Sequence, residues 1–228
     1  MPNIIVTGAN KGIGYALVQT LAANSANTIV ALARNLQPLH QLQTTHPNVI
    51  PIYANFNQTN FTDTINHIAQ HISHIDALVN NAGILIKKPF ADLTAADWLD
   101  SFTVNFFSAV QLIQQLLPRF APSSHIVNIS SMSRFQGSTK FAEMTAYCTS
   151  KAALSNLTEC LSVELLPQKI SVNCLALGAV QTDMLQTAFP NYKAPLDATQ
   201  IATFIVNFVL TGHQFFNGQI LPVTLSNP

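Results

Sequence analysis

The chain has 228 residues, 48% of them apolar and 9% charged, and its ten Lys and Arg balance ten Asp and Glu. That composition excludes intrinsic disorder, which needs low hydrophobicity and high net charge, and it offers no basic patch or stripe for nucleic acid. No run of about 18 uncharged apolar residues is present to span a membrane, and the three cysteines, Cys148, Cys160 and Cys174, form no C-x-x-C pair, which fits a reducing, cytoplasmic setting.

From the N-terminus the chain enters an apolar run directly, with no basic segment before it, so a signal peptide is not expected. Strand candidates lie at residues 4–7, 28–32, 49–53, 77–80, 125–129, 171–175 and 219–222. They are rich in Ile and Val and do not alternate apolar with polar, which is the pattern of strands covered on both faces in a parallel sheet. Helix-length stretches lie between them, so strands and helices alternate along the chain. In one such stretch Phe61, Ile65, Ile68 and Ile72 recur at helical spacing as a single apolar stripe. Longer helical patterns cover 95–117 and 145–166, each stopped by a proline, Pro118 and Pro167. No linker, repeat or low-complexity segment divides the chain. One doubly wound α/β domain over 1–228 is expected, with a short substrate loop at about 183–196.

After the first strand the sequence reads Thr7-Gly8-Ala9-Asn10-Lys11-Gly12-Ile13-Gly14 and then opens a helix. Glycines at these positions permit a tight turn, close backbone approach to a pyrophosphate and close helix–strand packing. The helix N-terminus supplies free N–H groups and a favourable dipole. A nucleotide-hydrolase loop would need Gly-Lys-Ser/Thr, whereas here Lys11 precedes Gly12 and Ile13 follows. The end of the second strand, Ala33-Arg34-Asn35, lacks the carboxylate that would hold the 2′-hydroxyl of NAD. A guanidinium binds phosphate well, so Arg34 with Lys11 argues for NADP(H) over NAD(H); a merely solvated loop arginine is the duller alternative.

Four further features follow in order: Asn80-Asn81-Ala82-Gly83 after the fourth strand, Asn105 within a long helix, Ser130-Ser131 closing the fifth strand, and Tyr147-Cys148-Thr149-Ser150-Lys151 opening the next helix. The ordered set T-G-x-x-x-G-x-G, N-N-A-G, N, S and Y-x-x-x-K resembles the short-chain dehydrogenase/reductase family over essentially the whole chain. Tyr147 and Lys151, four residues apart, share one helix face. A phenol of ordinary pKa about 10 is a poor shuttle at neutral pH, and a nearby cation is expected to lower it. Ser131 would donate to the substrate oxygen. The resemblance implies a Rossmann-type fold with a seven-stranded, mainly parallel sheet flanked by helices. It also implies that Lys151 holds the nicotinamide ribose, that Asn105 anchors a water-linked proton relay, and that Ser131 rather than Ser130 is catalytic. The expected cofactor contacts are Gly8, Asn10, Lys11, Gly12, Ile13, Gly14, Arg34, Asn35, Asn55, Phe56, Asn81, Ala82, Gly83, Tyr147, Lys151, Val180 and Thr182.

Three positions depart from the family pattern. The segment between Ser131 and Tyr147 is slightly enlarged, Asn55 stands where an aspartate is usual, and Leu177 replaces the proline before Gly178. Met132, Phe135, Met184, Leu185, Phe189 and Tyr192 suggest an apolar pocket. His67, His71 and His74 form a solvent-facing cluster rather than a metal site, since no Cys joins them and no H-E-x-x-H is present. The expected activity is an NADP(H)-dependent interconversion of a small carbonyl compound and a secondary alcohol, with Tyr147 as general acid/base; an NADP-sensing protein of the same fold is the alternative. The long helices carry more apolar residues (Phe102, Phe106, Phe107, Val110, Leu157 and Leu161) than one sheet face needs, and the family resemblance implies that these form a dimer contact, with Phe215-Phe216 contributing to a tetramer, so a homodimer or homotetramer is expected.

Overall fold

Strands that read as unbroken Ile/Val runs need cover on both faces, and the molecule supplies it. The computed structural model describes residues 1–225 apart from Thr59, Gln136 and Thr139. The first half of the chain runs β1 (Asn3–Thr7), α1 (Gly12–Ala22), β2 (Thr28–Ala33), α2 (Gln37–Gln43), β3 (Val49–Tyr53), α3 (Thr62–His71) and β4 (Ile75–Asn80). It continues through α4 (Ala95–Phe102), α5 (Ser108–Leu116), β5 (Phe120–Ser131), α6 (Thr145–Glu164) and β6 (Ser171–Leu177). The last part comprises β7 (Val180–Gln181), α7 (Asp183–Ala188), β8 (Leu196–Asp197), α8 (Ala198–Thr211) and β9 (Ile220–Val223). A seven-stranded parallel sheet has the order β3-β2-β1-β4-β5-β6-β9.

Two apolar layers hold the sheet. On one face Leu17, Leu21, Leu39, Ile205 and Val209 from α1, α2 and α8 pack on Ile4, Val6 and Ile29. On the other, Ile68, Leu112 and Leu116 from α3 and α5 pack on Ile5, Leu78 and Ile126. The chain builds outward from β1 to β3, then returns to place β4 on the other side of β1. The crevice at the carboxyl ends of β1 and β4 is the topological switch point where this architecture binds ligands.

Four elements differ from the sequence expectation, among them β5, which begins at Phe120 rather than at 125. The helical pattern over 95–117 is interrupted by a π-helical turn, Thr103–Phe107, between α4 and α5. The wider turn carries Asn105, whose side chain is buried; such turns recur at functional sites. The segment after β7 contains α7 and a two-residue ladder, Val180–Gln181 against Leu196–Asp197, rather than a plain loop. β6 runs two residues past its expected end, pairing Leu177 with both Ser131 and Val223. A proline there would lack the N–H that a central strand uses. Among the described residues no helix is long and apolar enough to cross a membrane.

Candidate active site

The turn after β1 is shaped by contacts that only glycine allows. Gly8 (φ +65°) and Gly12 (φ +54°) adopt left-handed conformations. A Cβ on Gly14 would lie 2.2 Å from the Gly8 carbonyl oxygen and 2.5 Å from Asn81 Nδ2. Gly14 therefore sets the close approach of α1 to the turn, behind the surface rather than on it. The buried Thr7 ties this turn to the one after β4: its Oγ1 accepts from the backbone N–H of both Asn81 and Ala82, each at 2.9 Å. Asn81 Nδ2 donates back to the Thr7 carbonyl at 2.9 Å. No side chain caps the start of α1, and its first turn has no acidic residue. Its N–H groups therefore remain available to an anion.

These turns form one end of a cleft of about 400 Å³. Of the expected cofactor contacts, Gly8, Asn10, Lys11, Gly12, Ile13, Arg34, Phe56, Asn81, Ala82, Gly83, Tyr147, Lys151, Val180 and Thr182 all line it. Lys11 and Arg34 are exposed, and the described residues give neither an ion pair. Besides Gly14, two expected contacts are placed differently. Asn35 Oδ1 accepts from Gln37 N at 3.1 Å at the entry to α2, and Asn55 Oδ1 accepts from Asn57 N at 3.1 Å. Their short side chains satisfy local turns, as Asn commonly does, and neither lines the cleft, whereas Asn57 does. An uncapped helix start, a glycine cradle and two free cations at one end suit a pyrophosphate with a further phosphate.

The opposite wall carries the serine, tyrosine and lysine. Ser131 ends β5, and Tyr147 and Lys151 lie on α6. The Ser131 hydroxyl faces the Tyr147 phenol and pulls its pKa down. Ser131 Oγ accepts from Ser133 N at 3.2 Å and from Ser133 Oγ at 3.0 Å, which leaves its own proton for the tyrosine oxygen. Ser130 points its hydroxyl elsewhere, donating to the Lys151 carbonyl at 2.9 Å and accepting from Ser155 Oγ at 2.9 Å. Asn105 does not line the cleft: its Nδ2 donates to the Ile84 carbonyl at 3.0 Å and to Ser150 Oγ at 2.9 Å, and its Oδ1 accepts from Ile84 N at 2.8 Å. Ser150 Oγ in turn donates to the Tyr147 carbonyl at 2.8 Å. Asn105 thus fixes the start of α6 against the segment after β4.

The ionisation pattern corrects one expectation. Burial pushes the Tyr147 phenol up to about 12, against the pull of the Ser131 hydroxyl. Burial also lowers the Lys151 ammonium to about 8. Lys151 Nζ donates to the Ile129 carbonyl at 2.8 Å and is 4% exposed. In the protein alone desolvation therefore outweighs any effect of the ammonium on the phenol, and Tyr147 is held protonated.

The apolar end of the cleft is formed by Met132, Met184, Leu185, Phe189 and Tyr192 as expected, but Phe135 is not part of it. Arg134 stacks over the Phe135 ring at 3.9 Å. Phe141 and Met144 line the cleft instead, brought there by the enlarged segment before α6, of which Gln136 and Thr139 lie outside the described residues. Sequence periodicity gave no signal for Phe141 or Met144, because the segment is irregular. His67, His71 and His74 are exposed, and His74 lies 3.3 Å from Asp76.

The model of the short chain dehydrogenase family matches residues 2–193. L-xylulose reductase of Bos taurus is 34% identical over 207 residues, covering 88% of this chain and 82% of the relative. Fatty acyl-CoA reductase of Acinetobacter baylyi is 30% identical over 214 residues, covering 89% and 70%. A solved short-chain dehydrogenase/reductase of Brucella melitensis superposes with TM-score 0.88 at 25% identity, covering 97% of this chain and 94% of the other. One from Burkholderia cenocepacia, solved in complex with NADP, gives TM-score 0.88 at 24% identity, covering 98% and 96%. With the glycine turn and the Ser131–Tyr147–Lys151 wall facing one cleft, the chain belongs to the short-chain dehydrogenase/reductase family and is an oxidoreductase.

Proposed function

We propose that the protein interconverts a small carbonyl compound and its secondary alcohol, using NADP(H), with Tyr147 as the general acid/base. The observation that carries this reading is that Ser131, Tyr147 and the buried Lys151 line one cleft, which begins at the uncapped start of α1. The cofactor, when bound, supplies the hydride. Its pyrophosphate suits the turn of Gly8, Gly12 and Ile13, and Arg34 with Lys11 would hold a 2′-phosphate by charge-assisted bonds. Asn81, Gly83, Val180 and Thr182 lie along the route to Lys151.

In the reductive direction a carbonyl oxygen placed between Ser131 and Tyr147 receives two hydrogen bonds, which favour charge developing on it. Tyr147 Oη, held protonated by its buried setting, gives its proton to that oxygen. The ammonium of Lys151 faces the same wall and favours the resulting phenolate. Asn105 and Ser150 keep the first turn of α6, and with it Tyr147, in register. The first and last strands, β1 and β9, belong to the same seven-stranded sheet, in keeping with a single domain. The exposed Phe107, Leu99 and Val163 support a homo-oligomer joined through α4 to α6, which sedimentation of the purified protein would detect. Tyr147→Phe tests the central assignment: NADPH oxidation on a panel of ketones and aldehydes should fall by about 100-fold or more. Full turnover in that variant would exclude Tyr147 as the proton donor. Cofactor-dependent capture of a protein partner, with no NADPH oxidation on any carbonyl, would favour the sensing alternative.

A further inference from the structure

Beyond Ser131 and Tyr147, the substrate half of the cleft offers few free polar groups. Ser133 Oγ is committed to Ser131 at 3.0 Å, and Thr182 Oγ1 lies 3.4 Å from both the Val180 carbonyl and Leu185 N. The surrounding side chains are mostly apolar, Met132, Met144, Leu185 and two phenyl rings, with the exposed Asp183 and Tyr192 as the polar groups of that end. Those rings, Phe141 from the segment before α6 and Phe189 from the segment after α7, meet edge to face with centroids 5.6 Å apart at 61°.

Lys87 joins these segments to the one after β4. Its Nζ lies 4.5 Å from the centroid of the Phe189 ring, donates to the Ala188 carbonyl at 3.0 Å and approaches Glu143 Oε2 at 3.5 Å. The backbone repeats the tie, since Lys88 N donates to the Glu143 carbonyl at 2.7 Å. Neither Lys87 nor Glu143 lines the cleft. Lys87 is engaged with Glu143 and with the Phe189 ring, so neither charge adds to the lining of the cleft.

A polyhydroxylated substrate placed there would leave several hydroxyls without partners, and each buried unpaired hydroxyl is disfavoured. An apolar chain or ring would instead displace water from sulfur and phenyl surface. We infer that Phe141 and Phe189, held together by Lys87, roof a subsite for the apolar substituent of the carbonyl substrate. The protein therefore acts on alkyl or aryl ketones and aldehydes in preference to sugar ketones. This rests on the reaction proposed above and adds the substrate class, in contrast to the polyol ketone named in the Bos taurus relative.

The test compares kcat/KM of the full-length protein for octan-2-one, acetophenone and L-xylulose with NADPH. The apolar ketones should lead by about 100-fold, the scale on which a pocket of mismatched polarity discriminates. Phe189→Ala should raise KM for octan-2-one about tenfold, the scale of losing one aromatic contact, while kcat changes little. Lys87→Met should raise the same KM, and Lys87→Arg should restore it, which a general loss of fold would not do. Equal or better turnover of L-xylulose would overturn the inference while leaving the reaction intact. If no carbonyl is reduced, the reaction reading fails, and calorimetric binding of octan-2-ol to the protein with NADP decides the subsite: affinity weakened by Phe189→Ala supports it, and absence of binding overturns it.

Discussion

Thr7→Val removes a hydroxyl and keeps the shape of the side chain. Thr7 is 2% exposed, and its Oγ1 is the acceptor for the N–H groups of Asn81 and Ala82, both at 2.9 Å. Valine fills the same volume but leaves the Ala82 N–H facing a methyl group, while the Asn81 N–H keeps its second bond to the Val79 carbonyl at 3.1 Å. A neutral hydrogen bond contributes about 1 kcal/mol net, and a buried donor left without an acceptor loses about 1–3 kcal/mol. One donor left without an acceptor therefore corresponds to about 1–3 kcal/mol. At roughly 2–4 °C per kcal/mol for a chain of this size, Tm should fall by about 2–12 °C. Urea unfolding of Thr7→Val beside Thr7→Ser separates the hydroxyl from the lost methyl, since serine keeps the acceptor. Because Asn81 and Ala82 also line the cleft, NADPH affinity should weaken in the valine variant and hold in the serine variant. If Thr7→Val loses no more stability than Thr7→Ser, the hydroxyl does not hold the two turns together and the reasoning fails.

Arg34→Glu should invert cofactor preference, weakening NADPH by about 10–100-fold, the scale of one or two charge-assisted bonds; unchanged affinity for both dinucleotides would remove Arg34 from the site. The Lys151 ammonium, lowered to about 8 by burial, should lose its proton as pH rises through that value, so kcat/KM for NADPH, which reports the free enzyme, should decline above about pH 8. A profile flat to pH 10 would contradict it. His125 is held near 4 by burial and by His213 beside it, against an ordinary 6.5, while its Nδ1 bonds the Val209 carbonyl at 3.1 Å. Below 6.5 the unfolded chain binds a proton that the folded one refuses, so stability falls as pH falls toward 4, by about 2 kcal/mol between pH 7 and pH 5. The urea midpoint of His125→Gln should lose most of that dependence.

The glycine turn, the N-N-A-G turn and the tyrosine–lysine helix were legible because each is a local pattern whose chemistry follows from spacing. Ile/Val runs without alternation fixed a parallel sheet, since only strands covered on both faces read that way. What spacing left open was decided by contacts between distant segments. Whether a polar side chain meets the cleft depends on its competing partners: Asn35 and Asn55 turn back to their own loops, Asn105 braces Ser150, and Ser130 bonds the backbone of α6 while Ser131 lines the cleft beside Tyr147. The direction of the Tyr147 shift likewise followed from burial rather than from the neighbouring cation. Phe141 and Phe189 are 48 positions apart, taking the difference of their numbers, and nothing local predicts that they meet. Sequence carried what the backbone does over a few residues; tertiary structure alone decided which side chains are desolvated together, because desolvation is a property of the assembled interior and not of any segment.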